Sequence, residues 1–594
     1  MNPQRSSARI RQVAGAAVVV AALMTTAACG GGGDKKDEGK SGGKAAGFNA
    51  ATGDKIANPS TKAGGTLKMI SKQDLDSADP QRQYYGMAWD FSRFYSRQLV
   101  TYAAKPGNAS AELVPDLAKA NGKITNGGKT YTYELKDGIA WEDGTPITSK
   151  DIKYGISRLW AKEAITGGPS YLVQALDPGA KPKYQGPYKD KTSDGPAGIE
   201  TPNDKTIVFN LATPNVDFEQ MLAMPAGSPV KKEKDTGAKY QLKPFSSGPY
   251  KFESYSPKKS ISLVRNDKWK KETDTVRAAL PDKVTVTVNP NMEALDKLLI
   301  KGDYDVDMNG TGLTQSGRIA ALQKHKDNVD NIQTSFTRYV DMAPVGPLTN
   351  VACRKAVIYA TDFKSLQEVR GGEEAGGPLA TTMLPTTIKG YDDYDPYGVK
   401  ARGGKPDVAK AKEQLKACNQ PNGFKTKISA RSNNTGEKET AEALQQSLKA
   451  VNIQAEVEVI DGAESASITG SPTVVKQRGL GLIMTGWGPD FPTGQGFSQP
   501  LIDGRFIAAT GNYNGSETND PAINKMFDDA LKATDPDKAA EFYKQINHKT
   551  ADIAAQMPFL YEKNFSWRSS RLTNVYSSTA YNGRYDYASL GVVK

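Results

Sequence analysis

Tyr131-Thr-Tyr-Glu-Leu-Lys-Asp-Gly-Ile-Ala-Trp-Glu-Asp-Gly-Thr-Pro-Ile-Thr-Ser-Lys-Asp-Ile-Lys-Tyr154 changes its periodicity midway. Tyr131 to Leu135 alternates as a half-buried strand does, and Asp137-Gly138 is a turn signal. Asp143-Gly144 and Pro146 punctuate the next stretch. Thr148 and Asp151 then stand at capping-box spacing, and Ile152, Ile156 and Leu159 fall on one face of the helix they would start. A strand passing through turns into a capped helix belongs to an α/β or α+β protein.

The same grammar recurs downstream. Ala441, Leu444, Leu448 and Val451 lie at helical spacing; Ile453, Ala455, Val457 and Val459 then alternate with Gln454, Glu456 and Glu458, a helix followed by a strand. Gly479 to Trp487 reads as a buried strand ending in a polar loop. Asp520-Pro521 and Asp535-Pro536 each pair an N-cap with proline at the first helical position. No repeat of fixed period stands out. At 594 residues the chain exceeds a single core, and two or three domains are expected. Hydrophobic residues at 38% and charged residues at 24% suit a globular protein.

The N-terminus indicates the compartment. Arg5, Arg9 and Arg11 precede an apolar run from Val13 to Met24, too short to span about 30 Å of hydrocarbon comfortably, so residues 1–28 read as a cleaved signal. Small residues lead into Cys29, which resembles a bacterial lipobox with Thr26 where leucine is usual. The expectation is a diacylated Cys29 and a membrane anchor; the alternative is an ordinary secretory signal with an incidental cysteine. Residues 29–63, rich in Gly, Ser and Lys, are expected to be a tether. With Cys29 lipidated, only Cys353 and Cys418 remain to pair, against the alternative of two free buried thiols. The formal charge of +11 loses three arginines and no acid with the signal, leaving +8. That excess is diffuse, and nucleic-acid binding is not expected.

Residues 131–154, with their strand, turn, W-x-D-G-x-P and helix, resemble the family 5 extracellular solute-binding proteins of ABC importers. Further segments support the likeness in family order: Leu113 to Ala118, Ser247 to Phe252, Val264 to Asn266, Leu299 to Asp305, Arg354 to Asp362, Ala441 to Ile453, Gly486 to Asp490 and Met557 to Tyr561. The resemblance implies an α/β, bilobed periplasmic-binding-protein-like fold with an extra inserted domain and hinge crossovers. Lobe I would comprise 64–102, 199–287 and 556–594, the inserted domain 103–198, and lobe II 288–555. It also implies a monomer that captures short peptides and delivers them to the membrane subunits of a permease, with no metal, cofactor or catalysis of its own.

Peptide-binding members of the family hold the ligand's α-amino group with an aspartate, and Trp487-Gly488-Pro489-Asp490 matches that motif. A carboxylate in a partly desolvated cleft suits the ammonium common to all free peptides. The alternative is that Asp490 caps a turn. Trp487 would wall the same cleft or sit in the core, and Tyr84 and Tyr85 correspond to positions that touch ligand from the other lobe. The family often places a second acid and an Asp-Pro after the aspartate, whereas here Thr493-Gly-Gln-Gly496 follows, leaving the ligand open. A short oligosaccharide would gain support if several of Trp89, Trp141, Trp160, Trp269, Trp487 and Trp567 lined one cleft; a metal chelate draws little from His325 and His548 alone. A signal-peptide sensor would bind in the same way. HExxH is absent, and the G-x-S-x-G match at Gly39 to Gly43 falls in the Gly-, Ser- and Lys-rich stretch with no strand before it, which argues against the common secreted hydrolases.

Overall fold

A computed structural model of the chain describes residues 45–177, 184–190, 192–462 and 464–593. The signal segment and Cys29 lie outside them. The strand expected at Tyr131 spans Thr130–Glu134, with Tyr131 and Tyr133 turned into the core. It lies in a four-stranded antiparallel sheet between Lys123–Thr125 and Thr206–Asn210, and Ile199–Asn203 forms the far edge. The capping box is reciprocal: Thr148 Oγ1 accepts from the Asp151 N–H at 3.4 Å, and Asp151 Oδ2 accepts from the Thr148 N–H at 2.8 Å. The helix it starts, Ser149–Ser157, buries Ile152 and Ile156 against this sheet's core. Each such side chain contributes about 1.5–3 kcal/mol by burial. Gly155 sits mid-helix, where glycine is unfavourable, because a Cβ there would lie 2.2 Å from the Ser228 carbonyl oxygen.

Two larger sheets form the lobes. One has the order Val306–Asp307, Thr66–Ser71, Lys283–Val288, Ser260–Arg265, Tyr250–Ser256, the first three parallel and the rest antiparallel. The other runs Gln454–Ile460, Lys425–Arg431, Leu482–Trp487, Val329–Met342, Gln556–Trp567, again parallel and then antiparallel. The helix Thr435–Leu448 is the crossover that the parallel pair requires, and its buried face carries Ala441, Leu444 and Leu448.

Sheet membership departs from the expected ranges at three places. The strands of 199–210 pair within the inserted sheet, Val306–Asp307 joins the lobe I sheet, and Gln556–Trp567 pairs along Val329–Met342 in lobe II. The expected tether is also corrected from residue 45 onward. Ala51 and Ala57 are buried in the lobe I core, the Asn49 N–H donates to the Val329 carbonyl at 3.0 Å, and the Ala51 N–H donates to Asp330 Oδ1 at 3.0 Å. Alternation in the 454–460 strand breaks as well: Val459 is exposed and Ile460 buried, as an edge strand with one free side allows.

Val329–Met342 and Gln556–Trp567 are the longest strands and link the two packing zones. Val329, Phe565 and Trp567 pack beside Ile70 and Leu299, whereas Val340, Met342, Met557 and Leu560 belong to the lobe II core. Their register shifts between Gln333 and Thr337, so a bulge lies between the zones. In lobe II, Cys353 on the helix Val351–Ala360 and Cys418 after the helix Val408–Ala417 have sulfurs 2.09 Å apart.

Candidate functional site

The capped helix of residues 149–157 ends in Arg158, a wholly buried side chain that positions the site's first wall. Its Nη1 and Nη2 donate to Asp79 Oδ1 and Oδ2 at 2.9 and 2.7 Å, its Nη1 also reaches Gln81 Oε1 at 2.7 Å, and its Nε donates to Asp235 Oδ2 at 3.1 Å. A bidentate arginine–carboxylate pair fixes both position and angle, so the loop carrying Asp79 is held against the inserted domain. Five residues on, that loop presents Tyr84 and Tyr85, whose N–H groups both donate to Asp76 Oδ2. Burial raises the Asp76 carboxyl, and the two N–H donors oppose that rise.

Asp490 follows the end of the lobe II strand Leu482–Trp487 and meets these residues across the lobes. Tyr84 OH donates to Asp490 Oδ2 at 2.9 Å and Tyr171 OH, from the inserted domain, donates to the same oxygen at 2.6 Å. Asp490 Oδ1 has no hydrogen-bond partner among the described residues, and no arginine or lysine pairs with the group. Burial therefore pushes its carboxyl up to about 6, with the two hydroxyls working in the opposite direction. Tyr84 and Tyr171 line the open cleft, whereas Asp490 does not.

That cleft has a volume of about 740 Å³ and is straddled by both lobes: Tyr84, Tyr85 and Tyr171 face Arg505, Phe506 and Tyr513 across it. Tyr84 and Tyr513 lie nearly parallel, 3° between planes with centroids 6.4 Å apart, and Trp487 stands 5.0 Å from Tyr513. Trp487 lines a second cavity, of about 240 Å³, on the lobe II side of Tyr513. Its indole Nε1 is buried with no hydrogen-bond acceptor among the described residues. Gly488 lines neither space; it admits Phe336 and Asn582, whose atoms would lie 2.9 and 3.2 Å from a Cβ there.

The segment that departs from the family pattern has its own role. Thr493 caps the helix Gly494–Ile502, and its hydroxyl donates to Asp217 Oδ2, at 2.8 Å, on a segment that packs with the inserted domain. Asp217 is buried with no ion pair among the described residues, and burial raises its carboxyl to about 6. Thr493 thus makes a second interlobe hydroxyl–carboxylate contact.

Tyr171, Asp217 and Tyr513 were not singled out from sequence, where no spacing links them to Trp487 or Asp490. Trp89, Trp141, Trp160 and Trp567 are buried in the cores and Trp269 packs half-buried against the lobe I core, leaving Trp487 at the cavity. His548 pairs with Asp392 at 2.8 Å, and His325 stands edge-on to Trp567.

Comparison with known proteins agrees with this architecture. Residues 112–509 match the model for bacterial extracellular solute-binding proteins, family 5 Middle. A solved structure described as clavulanic acid biosynthesis oligopeptide binding protein 2 is 37% identical, covering 93% of this chain and 99% of that one, with a TM-score of 0.89. The glutathione-binding protein GsiB of Escherichia coli K12 is 25% identical over 463 residues, 76% of this chain and 81% of that protein. DppA from Helicobacter pylori in complex with the peptide STSA shares the fold at 22% identity and a TM-score of 0.69, over 90% and 99% of the two chains.

Proposed function

Because this chain belongs to the family 5 bacterial extracellular solute-binding proteins, receptors of ABC importers, we propose that it captures short peptides by closing its two lobes on them. The observation that carries this reading is the straddled cleft: aromatic rings from both lobes face one space, and Asp490 joins the lobes through two tyrosine hydroxyls. Both hydroxyls are neutral donors on a buried carboxylate. A peptide's ammonium offers the same oxygen charged donors, which bind roughly twice as strongly. In this reading the free N-terminus displaces one or both hydroxyls from Asp490, Trp487 and Tyr513 flank the peptide, and Tyr84 and Tyr85 contact it from lobe I. The bulge between Gln333 and Thr337 serves as a hinge.

The receptor carries no catalysis of its own and acts as a monomer. It is held to the outer face of the membrane by lipid on Cys29, and Cys353–Cys418 is an oxidised disulfide. Among the described residues no helix is long and apolar enough to cross a membrane.

Thermal shift on residues 30–594 tests the cargo, using di- to hexapeptides with free and acetylated N-termini, cello- and chito-oligosaccharides, and Ni²⁺. A ligand at about 100 times its Kd stabilises the folded state by about 2.7 kcal/mol. Free peptides should raise Tm and acetylated ones should not. A shift from sugars alone would replace the peptide reading with the oligosaccharide one.

A further inference from the structure

The buried aspartates of this protein divide into two kinds. Asp79, Asp116, Asp330 and Asp586 each pair with a buried arginine: Arg158, Arg97 with Arg277, Arg568, and Arg93. Asp341, on the strand Val329–Met342, is 4% exposed and has no such partner. Its Oδ1 accepts one hydrogen bond, from Gln556 Nε2 at 2.9 Å, and its Oδ2 has none among the described residues. A carboxylate taken out of water with one amide donor and no cation is costly. Accordingly, burial pushes its carboxyl up to about 7.

Asp341 is not sealed into a core. It lines the cavity of about 240 Å³ behind Trp487, which shares Gly511 and Tyr513 with the interlobe cleft. The loop over the carboxylate approaches so closely that a Cβ on Gly515 would stand 2.5 Å from Oδ2, a contact only glycine permits. Trp487 and Tyr513 supply aromatic faces, which attract cations. Arg431 also borders the cavity, but its guanidinium is engaged by Glu437, Nε to Oε2 at 2.8 Å, and so leaves Asp341 without a counter-ion.

We propose that this cavity receives the side chain of a lysine or arginine of the captured peptide, with Asp341 as its counter-ion and Trp487 and Tyr513 as its walls. The proposal rests on the peptide-capture reading and sets the side-chain class that the receptor prefers. The space is too small for a peptide and suited to one long side chain branching from the cleft.

The test uses tripeptides with a free N-terminus in which arginine is replaced, one position at a time, by citrulline, its neutral near-isostere. Binding to the wild type and to Asp341→Asn is measured by calorimetry. At one position arginine should bind at least about 30-fold more tightly than citrulline, as expected for a desolvated charge pair of about 2 kcal/mol. Asp341→Asn should remove that preference while leaving the citrulline peptides' affinity within a few-fold. Equal binding of arginine and citrulline at every position overturns the inference and leaves peptide capture standing. So does a preference that survives in Asp341→Asn, since it would arise elsewhere. If no tripeptide binds, the peptide-capture reading fails, and agmatine then decides the cavity alone: a Tm rise in the wild type absent from Asp341→Asn supports the site, and no difference overturns it. A far-ultraviolet spectrum matching the wild type confirms that the variant is folded.

Discussion

Replacing Asp490 with asparagine should strengthen the empty protein and disable it as a receptor. The carboxyl is pushed from an ordinary 3.8 up to about 6, so between these values the folded state holds a proton that the unfolded chain releases. Stability from this group is therefore full below pH 4 and lost as pH rises to about 6; the deficit above that is about 3 kcal/mol, at about 1.4 kcal/mol per pH unit. Asparagine does not titrate and its oxygen still accepts from Tyr84 and Tyr171, while its NH₂ lacks an evident acceptor, a cost of about 1 kcal/mol. The net gain at pH 7.5 is about 2 kcal/mol. Spread over roughly 550 ordered residues at about 2 cal/mol/K each, that raises Tm by about 2 °C. Calorimetric scans of both proteins at pH 4 and 7.5 measure it, and the advantage should shrink or reverse at pH 4. Peptide titrations on the same samples should show affinity reduced by about 2–5 kcal/mol, because an ammonium loses its counter-charge. If Asp490→Asn is less stable at pH 7.5 and binds free peptides within threefold of the wild type, the carboxylate is a structural cap and the reasoning fails.

Tyr84→Phe combined with Tyr171→Phe removes both interlobe donors to Asp490, each bond to a charged group being worth about 1.5–3 kcal/mol; small-angle scattering of the empty protein should show a larger radius of gyration than the wild type. Cys353→Ser should lower stability by about 4 kcal/mol for a closed loop of this length, and a reducing agent should lower Tm of the wild type but not of the variant. Cys29→Ser should release the protein into the medium of cells that retain the wild type, measured by fractionation and immunoblot. Gly377→Ala should be strongly destabilising, since φ is +121° and the added carbon would stand 1.9 Å from the Tyr561 carbonyl oxygen, which thermal denaturation would reveal.

How much could be read from the chain depends on how local each determinant is. The Thr148 capping box and the prolines after Asp520 and Asp535 act within four residues, and all three helices begin where these signals stand. The Trp487-to-Asp490 motif is equally local, and it placed the aspartate at the lobe junction. By contrast, Tyr171 reaches Asp490 from 319 positions away and Asp217 meets Thr493 across 276, contacts that no periodicity encodes. The strand Gln556–Trp567 pairs in lobe II and not in the expected lobe I for a related reason: its pattern shows that it is buried but not which neighbour it pairs with. Residues 45–63 resemble a tether because small and polar residues dominate them, yet two alanines, small enough to slip into the lobe I core, anchor the segment.

Asp341 shows best where such reading ends, because an aspartate in a strand of mixed polarity gives no hint whether an arginine awaits it. Only the assembled structure separates the acids compensated by arginine from those that are not. Asp79, Asp116, Asp330 and Asp586 have guanidinium partners that hold the loops and strands around them, and the cost of burying them is largely offset within the protein. Asp490, Asp217 and Asp341 have none, and their carboxyls rise to about 6, 6 and 7. All three lie beside the lobe junction or a cavity connected with it. Asp296 and Asp307 are likewise buried with no ion pair among the described residues and their carboxyls also rise, so a missing cation does not by itself mark a ligand site. In the peptide-capture reading, the cations that Asp490 and Asp341 lack are ones that a peptide brings with it: the ammonium of its N-terminus and, for the right sequence, the end of a basic side chain.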